Sequence, residues 1–258
     1  MRLGYAALGA SVIAAGFAAC GGDDETTTVT ERAAGGEPAA SSGLPQGSEP
    51  VELDPSEFTT QIDNEYWPMA PGTRWVYEET QGSGPPQRVV VTVTNETKRI
   101  ANGVEARVVH DAVSENGQPI EITDDWYAQD ADGNIWYLGE RTSEYENGKL
   151  VTRSGSFEAG VDGAQAGIIM PAEPQPGLAY RQEYYEGEAE DEGAVLSIGD
   201  MAQVPAGFFP KTLMTRDLVP LEPKVQELKF YAPGVGPVLT LDTSGGDGRE
   251  ELVSFKAG

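Results

Sequence analysis

The stretch "DDWYAQDADGNIWYLGE", Asp124 to Glu140, admits two readings, and the choice between them decides the fold. One is a calcium loop, because Asp124, Asp125, Asp130, Asp132 and Asn134 crowd into eleven residues. The other is a β-hairpin, because two Trp-Tyr pairs alternate around a turn. An EF-hand loop needs oxygen ligands at positions 1, 3 and 5, Gly at 6 and Glu at 12. Counted from Asp130, the first three positions match Asp130, Asp132 and Asn134, but position 6 is Ile135 and position 12 is Arg141. The hairpin reading therefore prevails. Two registers compete for it. A two-residue Asp132-Gly133 turn sets Asp130 opposite Ile135. A three-residue bulged loop with Gly133 at positive φ sets Asp130 opposite Asn134. The second is preferred, because it faces Tyr127 with Tyr137 and puts Trp126, Trp136 and Leu138 on one side. Asp130, Asp132 and Asn134 are then turn residues first, with a weak calcium site at the crowded tip as the lesser reading; the second acidic cluster, Glu186 to Ala194, reads as a solvated loop.

Working outward, Asn102-Gly103, Asn116-Gly117, Asp132-Gly133 and Asn147-Gly148 mark turns that fall 14, 16 and 15 residues apart. Such dipeptides favour the positive φ of tight hairpins. Each interval holds a strand of roughly ten residues, longer than the usual five or six. The segments from Arg88 to Phe157 thus read as a five-strand antiparallel meander. Long antiparallel strands twist and coil, so the sheet should curve strongly. Glu158 to Gly177, with four Gly and three Pro, reads as a long irregular loop that folds over the sheet and buries Ile168-Ile169-Met170. Six further strand-like segments follow to Phe255. Helical spacing is not sustained anywhere in 60–258. The fold expected is a single all-β domain over 55–258, a strongly curved antiparallel sheet or open half-barrel under a long covering loop. An immunoglobulin-like sandwich is the alternative; its strands are shorter and its Cys-Trp-Cys pattern is missing.

Residues 1–19 have one positive charge, Arg2, then an Ala- and Gly-rich apolar run, the layout of a secretory signal. The run is short for a permanent membrane span. It ends in "FAAC", Phe17 to Cys20, which resembles the lipobox of bacterial lipoproteins, with Phe17 where Leu is usual. The resemblance implies a diacylglycerol on the Cys20 thiol, cleavage before Cys20, and a protein held by acyl chains on the extracytoplasmic side of the cell membrane. Each buried methylene contributes about 0.8 kcal/mol, so two or three chains anchor firmly. Cys20 is the only cysteine, so no intramolecular disulfide exists. Residues 20–54 are Gly, Ser, Thr, Pro, Ala and acidic residues, too poor in apolar side chains to offset chain entropy. They read as a disordered acidic tether spanning roughly 30–35 Å.

Two further segments carry a resemblance. "IDNEYWPMAPGTRWVYEE" (Ile62 to Glu79) and "ELKFYAPGVGPVLTLD" (Glu227 to Asp242) resemble the opening and the closing hairpin of a family of uncharacterised bacterial secreted proteins and lipoproteins. The likeness covers about residues 55–245. Glu65 stands where that family has Pro, and Pro237 falls within the closing strand. The resemblance implies an envelope protein and no assigned activity. Read for themselves, the motifs are turns and core aromatics: Pro71-Gly72 starts a strand in which Trp75 and Tyr77 share a face.

The chain has 258 residues and a formal charge of −25. That acidity argues against nucleic acid, since phosphate contacts need clustered Lys and Arg. No P-loop, GxGxxG, HExxH or GxSxG occurs. The one histidine, His110, cannot be oriented by Asp111, which points to the other face of a strand. Zinc would want several His or Cys. No catalytic residue and no cofactor is assigned. The function expected is a non-catalytic, membrane-anchored envelope lipoprotein that binds a hydrophobic or extended ligand, or a protein partner, in the curve of its sheet. The alternatives are a structural surface lipoprotein without a small ligand and a carboxylate-dependent hydrolase of cell-wall or extracellular polymers. An apolar concave face would favour the first, two converging carboxylates the last.

Overall fold

The computed structural model describes residues 43–243 and 247–258. The signal, Cys20 and the tether as far as residue 42 lie outside the described residues. Sixteen strands form among those described. The first group is β1 (Phe58–Thr59), β2 (Arg74–Thr80), β3 (Gln87–Arg99), β4 (Glu105–Glu115), β5 (Gln118–Asp130), β6 (Ile135–Glu146) and β7 (Lys149–Thr152). Four short strands follow: β8 (Phe157–Glu158), β9 (Gln165–Met170), β10 (Ala179–Arg181) and β11 (Glu183–Tyr184). The last are β12 (Glu192–Val204), β13 (Gly207–Leu218), β14 (Gln226–Ala232), β15 (Gly236–Asp242) and β16 (Arg249–Lys256). No helix among the described residues is long and apolar enough to cross a membrane.

Thirteen strands follow one antiparallel path, β10-β12-β13-β14-β15-β16-β2-β3-β4-β5-β6-β9-β11. The sheet curls until its two ends nearly meet, giving a barrel with one unsealed seam. The expected curved antiparallel sheet is therefore present, and it is one continuous sheet rather than a sandwich. Its curvature has a local cause. Register shifts interrupt β3/β4 between Val93 and Thr97, β4/β5 after Val113, and β5/β6 between Asp125 and Tyr127. Each such bulge bends its strand and increases the twist.

The hairpin at 124–140 adopts the three-residue loop. Asp130 N–H donates to Asn134 O at 3.0 Å, Gly133 has φ of 98°, and Tyr127 pairs with Tyr137. The stretch after Glu158 differs from its expectation. Ile168 and Met170 are buried as foreseen, but in β9, which pairs with β6 and extends the sheet. The reason is the edge of β6, whose N–H and C=O groups over Ile135 to Tyr137 need partners, while β8 covers Gly139 and Glu140. Gly167 makes this possible: a Cβ there would stand 2.3 Å from Gln182 O.

The barrel interior is filled by a segment entering from outside the sheet. Trp67 has ring centroids 5.9 Å from Tyr127 on β5 and 5.7 Å from Tyr231 on β14. Five strands separate β5 from β14 along the path, so Trp67 spans the interior. Its neighbours Ile62 and Met69 are also buried. The motif that resembles an opening segment is thus an internal plug.

Residues 43–54 do not behave as tether. They lie along the domain at the seam. Arg181 N–H donates to Pro45 O at 2.8 Å, and Gln46 Nε2 to Ala179 O at 2.7 Å. Composition pointed to disorder because little apolar surface is available here. What holds the segment is its carbonyls at Pro45, Gly47 and Glu49, which accept from Arg181, together with Leu44, Val51 and Leu53 packed against the core.

Candidate functional site

Strand alternation turns every second residue inward. On β4, β5 and β6 this places Asp111, Glu121, Thr123, Asp125, Tyr127, Tyr137, Glu140 and Thr142 in the interior, all buried, with the register shift between Asp125 and Tyr127 bringing both Tyr137 and Glu140 inward. The registers set them side by side: Asp111 opposite Thr123, Thr123 opposite Thr142, Asp125 opposite Glu140, and Tyr127 opposite Tyr137. The two tyrosine rings stack at 5.0 Å. Glu183 joins from β11, beside Ala166 on β9. Across the barrel, β13 and β14 contribute Asp217, Glu227 and Lys229. The result is an acidic chamber wall packed against the Trp67 plug, lined by carboxylates, with Lys229 as an ammonium facing them.

Hydrogen bonds link the wall. Tyr137 OH lies 2.8 Å from Asp125 Oδ1 and 2.8 Å from Glu140 Oε2. A phenol has one proton, so it donates to one carboxylate and accepts from the other in its acid form. Thr142 Oγ1 donates to Glu140 Oε1 at 3.1 Å and lies 2.9 Å from Thr123 Oγ1. Opposite, Lys229 Nζ stands 2.6 Å from Asp217 Oδ2 and 3.7 Å from Glu227 Oε2.

Burial governs the acidities. It pushes Asp125 far above the ordinary carboxyl range, reinforced by Glu140 and Asp111. Asp111 and Glu183 rise for the same reason, with neighbouring carboxylates adding to the effect. Glu121 is raised to about 8, by burial first and then by Glu140 and Glu144. Glu227 is raised to about 7, by burial against the opposing pull of Lys229. On Lys229 burial favours the neutral amine, but Asp217 and Glu227 outweigh it and keep the ammonium.

Several chamber atoms have no hydrogen-bond partner among the described residues: Asp111 Oδ1, Asp125 Oδ2, Glu183 Oε2 and the Tyr127 hydroxyl. Leaving a buried polar atom unpaired costs about 1–3 kcal/mol.

The seam is held by Arg181, only 1% exposed. Its Nη2 crosses from β10 to Ala166 O on β9 at 2.7 Å, and its Nη1 donates to Gly47 O at 2.8 Å and Glu49 O at 2.6 Å. Beside it is a cleft of about 290 Å³ lined in part by Gly47, Arg181, Glu183, Glu190 and Glu192. Glu183 is common to cleft and chamber.

The residues singled out from sequence lie elsewhere. Asp130 Oδ1 accepts the N–H groups of Asp132 (3.1 Å) and Asn134 (2.8 Å), and its Oδ2 accepts Asn134 Nδ2 (2.8 Å) and Trp136 Nε1 (2.7 Å). Asn134 Oδ1 accepts from Ala172 N–H at 2.9 Å. The tip oxygens of Asp130 and Asn134 serve the turn. Among the described residues no group of three His, Cys, Asp or Glu side chains converges as metal ligands would. His110 sits on the outer face, where its Nδ1 is 2.8 Å from Asp124 Oδ1, and Asp124 also receives Arg141 Nη2 at 2.6 Å. That hydrogen bond to Asp124 raises the His110 pKa. Asp111 does face the other way, as strand alternation requires, and lies in the chamber. The chamber's signal was present in sequence as Glu121, Thr123, Asp125 and Tyr127 at a spacing of two. It went unread because the alternate residues of β5, Ile122, Asp124 and Trp126, do not declare themselves as the outer face.

Two solved structures resemble this chain at a distance. One is a "putative lipoprotein" from Parabacteroides distasonis, with TM-score 0.41 and 13% identity, covering 75% of this chain and 99% of that one. The other is a beta-barrel-like protein of domain of unknown function DUF1849 from Brucella abortus, with TM-score 0.36 and 13% identity, covering 71% of this chain and 96% of that one. No family model and no curated protein matches the chain.

Proposed function

We propose that this chain is a lipid-anchored envelope protein that holds a small polar ligand inside its barrel without transforming it. One observation carries the reading: inside the barrel, Asp111, Asp125, Glu183 and Tyr127 present buried polar atoms without partners among the described residues. Unsatisfied groups in an interior are a poor way to stabilise a fold and a good way to recognise a ligand that satisfies them. The ligand class shifts accordingly. A hydrophobic occupant would leave these oxygens unpaired, so the polar reading replaces the apolar one.

The hydrolase alternative has its converging pair in Asp125 and Glu140. Its geometry works against it. The Tyr137 hydroxyl occupies the space between the two carboxyls, 2.8 Å from each. Both side chains are buried, at 0% and 1% exposure, where a polymer has no room. The anchor rests on the sequence around Cys20.

Native mass spectrometry of the full chain, extracted from its host in mild detergent, tests both parts. The expected spectrum shows an acylated N-terminal Cys20 and a bound small molecule lost on denaturation. An acyl-free protein would overturn the anchor, and an empty barrel in every preparation would overturn the ligand. Independently, Cys20→Ser should move the protein from the membrane to the soluble fraction.

A further inference from the structure

Exposed large apolar side chains are unevenly placed on this domain. Of the eight among the described residues, Leu196, Ile198, Met201 and Phe208 lie on the β12–β13 hairpin, and Val253 lies on β16 beside its tip. Met201 and Phe208, at 67% and 56%, are the most exposed of all. Their exposure is not that of a loose arm. Ala202 and Val204 on the inner face are buried, and Ala206 N–H at the tip donates to Leu252 O on β16 at 2.9 Å. The register stands Met201 opposite Pro210 and Lys211, between the pairs Asp200–Thr212 and Ala202–Phe209, and Phe208 opposite Gln203. Single apolar residues on a surface mean little, whereas a cluster marks a contact with a membrane or another protein.

Charge separates these two occupants. The chain carries −25, yet the basic residues Lys211, Lys256 and Arg74 flank the cluster. Lys256 stands opposite Arg74 on β2, three residues past Val253, and Lys211 is three residues past Phe208. All three are exposed, and none has an ion-pair partner among the described residues. A second copy of the chain would bring the same cations and the same overall negative charge to the contact, and both repel. Strand pairing is obstructed as well. Three register shifts interrupt β12 between Val195 and Ala202, with Gly199 at φ 96°, and bulges spoil an edge as a template for another strand. An anionic lipid surface complements the cluster, because it takes apolar side chains between its headgroups and cations against its phosphates.

The path of the chain turns that surface toward the anchor. Pro45 and Gln46 are bonded to Arg181 and Ala179 on β10, and β10 pairs with the base of β12, Ala179 opposite Ala194. The chain leading back to Cys20 therefore leaves the domain beside the base of the hairpin. Residues 20–42 span at most about 80 Å. The hairpin extends about 33 Å from Ala194 to Val204, so its tip reaches a bilayer that holds Cys20. Resting on the reading of Cys20 as the lipid anchor, we propose that the β12–β13 hairpin is a membrane-contact surface, with Met201, Phe208 and Val253 in the interfacial layer of an anionic phospholipid bilayer and Lys211, Lys256 and Arg74 against its headgroups.

The test uses the mature chain, residues 20–258, carrying Cys20→Ser, so that binding is read without an acyl chain. Flotation compares vesicles of equal parts phosphatidylglycerol and phosphatidylcholine with vesicles of phosphatidylcholine alone. The mixed vesicles are expected to bind the chain, more tightly than the neutral ones and less tightly in about 1 M salt. Met201→Ser with Phe208→Ser should weaken that binding by about tenfold or more. Lys211→Glu with Lys256→Glu should weaken it by about tenfold and leave the weaker binding to neutral vesicles unchanged. All four positions are exposed, and circular dichroism establishes that both variants fold. No binding to the mixed vesicles, or binding unchanged in both variants, would overturn the proposal. So would a dimer in sedimentation equilibrium that Met201→Ser with Phe208→Ser abolishes, which would assign the cluster to a second copy. An acyl-free Cys20 in the native protein would remove the anchor, whereas vesicle binding by the hairpin stands or falls on these variants alone.

Discussion

Replacing Glu121 by Gln should make the protein more stable at neutral and alkaline pH, and the structure sets the size of the gain. Glu121 faces the chamber from β5, buried beside Glu140 and Glu144. Its carboxyl ionises near 4.5 in an unfolded chain and at about 8 in the folded one. Folding holds the proton on Glu121. That contribution to stability is complete below pH 4.5 and is lost as the pH rises through about 8. At pH 7 the loss spans roughly 2.5 pH units at about 1.4 kcal/mol each, on the order of 3 kcal/mol. Gln has the same shape, keeps an acceptor for Thr123 and cannot ionise. The two proteins should therefore be nearly equal near pH 4 and diverge steadily to pH 8, with Glu121→Gln the more stable by about 3 kcal/mol at pH 7. Urea unfolding at half-unit steps from pH 4 to 8.5 measures the difference curve. That curve isolates Glu121, although Glu227 and others titrate in both proteins. Parallel curves, with no added stability in the variant at pH 8, would refute the account, since they would mean that Glu121 is solvated or paired in the folded state.

Three other perturbations probe the frame. Arg181→Ala leaves the carbonyls of Gly47, Glu49 and Ala166 without their buried donor, and should lower stability by about 2–4 kcal/mol while raising amide exchange across residues 43–51. Unchanged exchange there would show that the segment is held by something other than Arg181. Asp130→Ala strips four donors of their acceptor at the hairpin tip and should cost about 2–4 kcal/mol in thermal or urea unfolding. A chelator added to the unaltered protein should leave the melting temperature where it was, and a fall would place a cation at the tip after all. Gly167→Ala forces a Cβ to within 2.3 Å of Gln182 O, so β9 and the β10–β11 step must separate. The expected loss exceeds about 3 kcal/mol, read as a lower melting temperature or insoluble protein.

How much of this was legible depended on range along the chain. The strands and the bulged hairpin register follow from turn dipeptides and from alternation, both local properties. Tyr127 meets Tyr137 because each stands the same distance from the three-residue loop and Gly133 accepts positive φ. The strands after residue 178 were visible for the same reason. The covering loop was misread, because Gly167 in β9 looks like loop chemistry until Gln182 is known to press against it. The docking of residues 43–54 is not legible either, because the segment is held through its own carbonyl oxygens, which every sequence has, and their donor Arg181 lies far along the chain.

Composition and local pattern alone determined an acidic chain with an all-β domain, and they are the ground for the lipid proposed at Cys20. Whether the sheet's ends would meet, and what would lie inside, depended on contacts between residues distant in sequence. Arg181 reaches residues 132 and 134 positions away, and Trp67 lies between strands from opposite sides of the barrel. Alternation says that Asp124 and Asp125 face opposite ways, and it cannot say which way is in. Closure of the sheet makes that choice. It leaves Asp124 outside with His110 and Arg141, and buries Asp125 among carboxylates, where low polarity rather than sequence sets its chemistry.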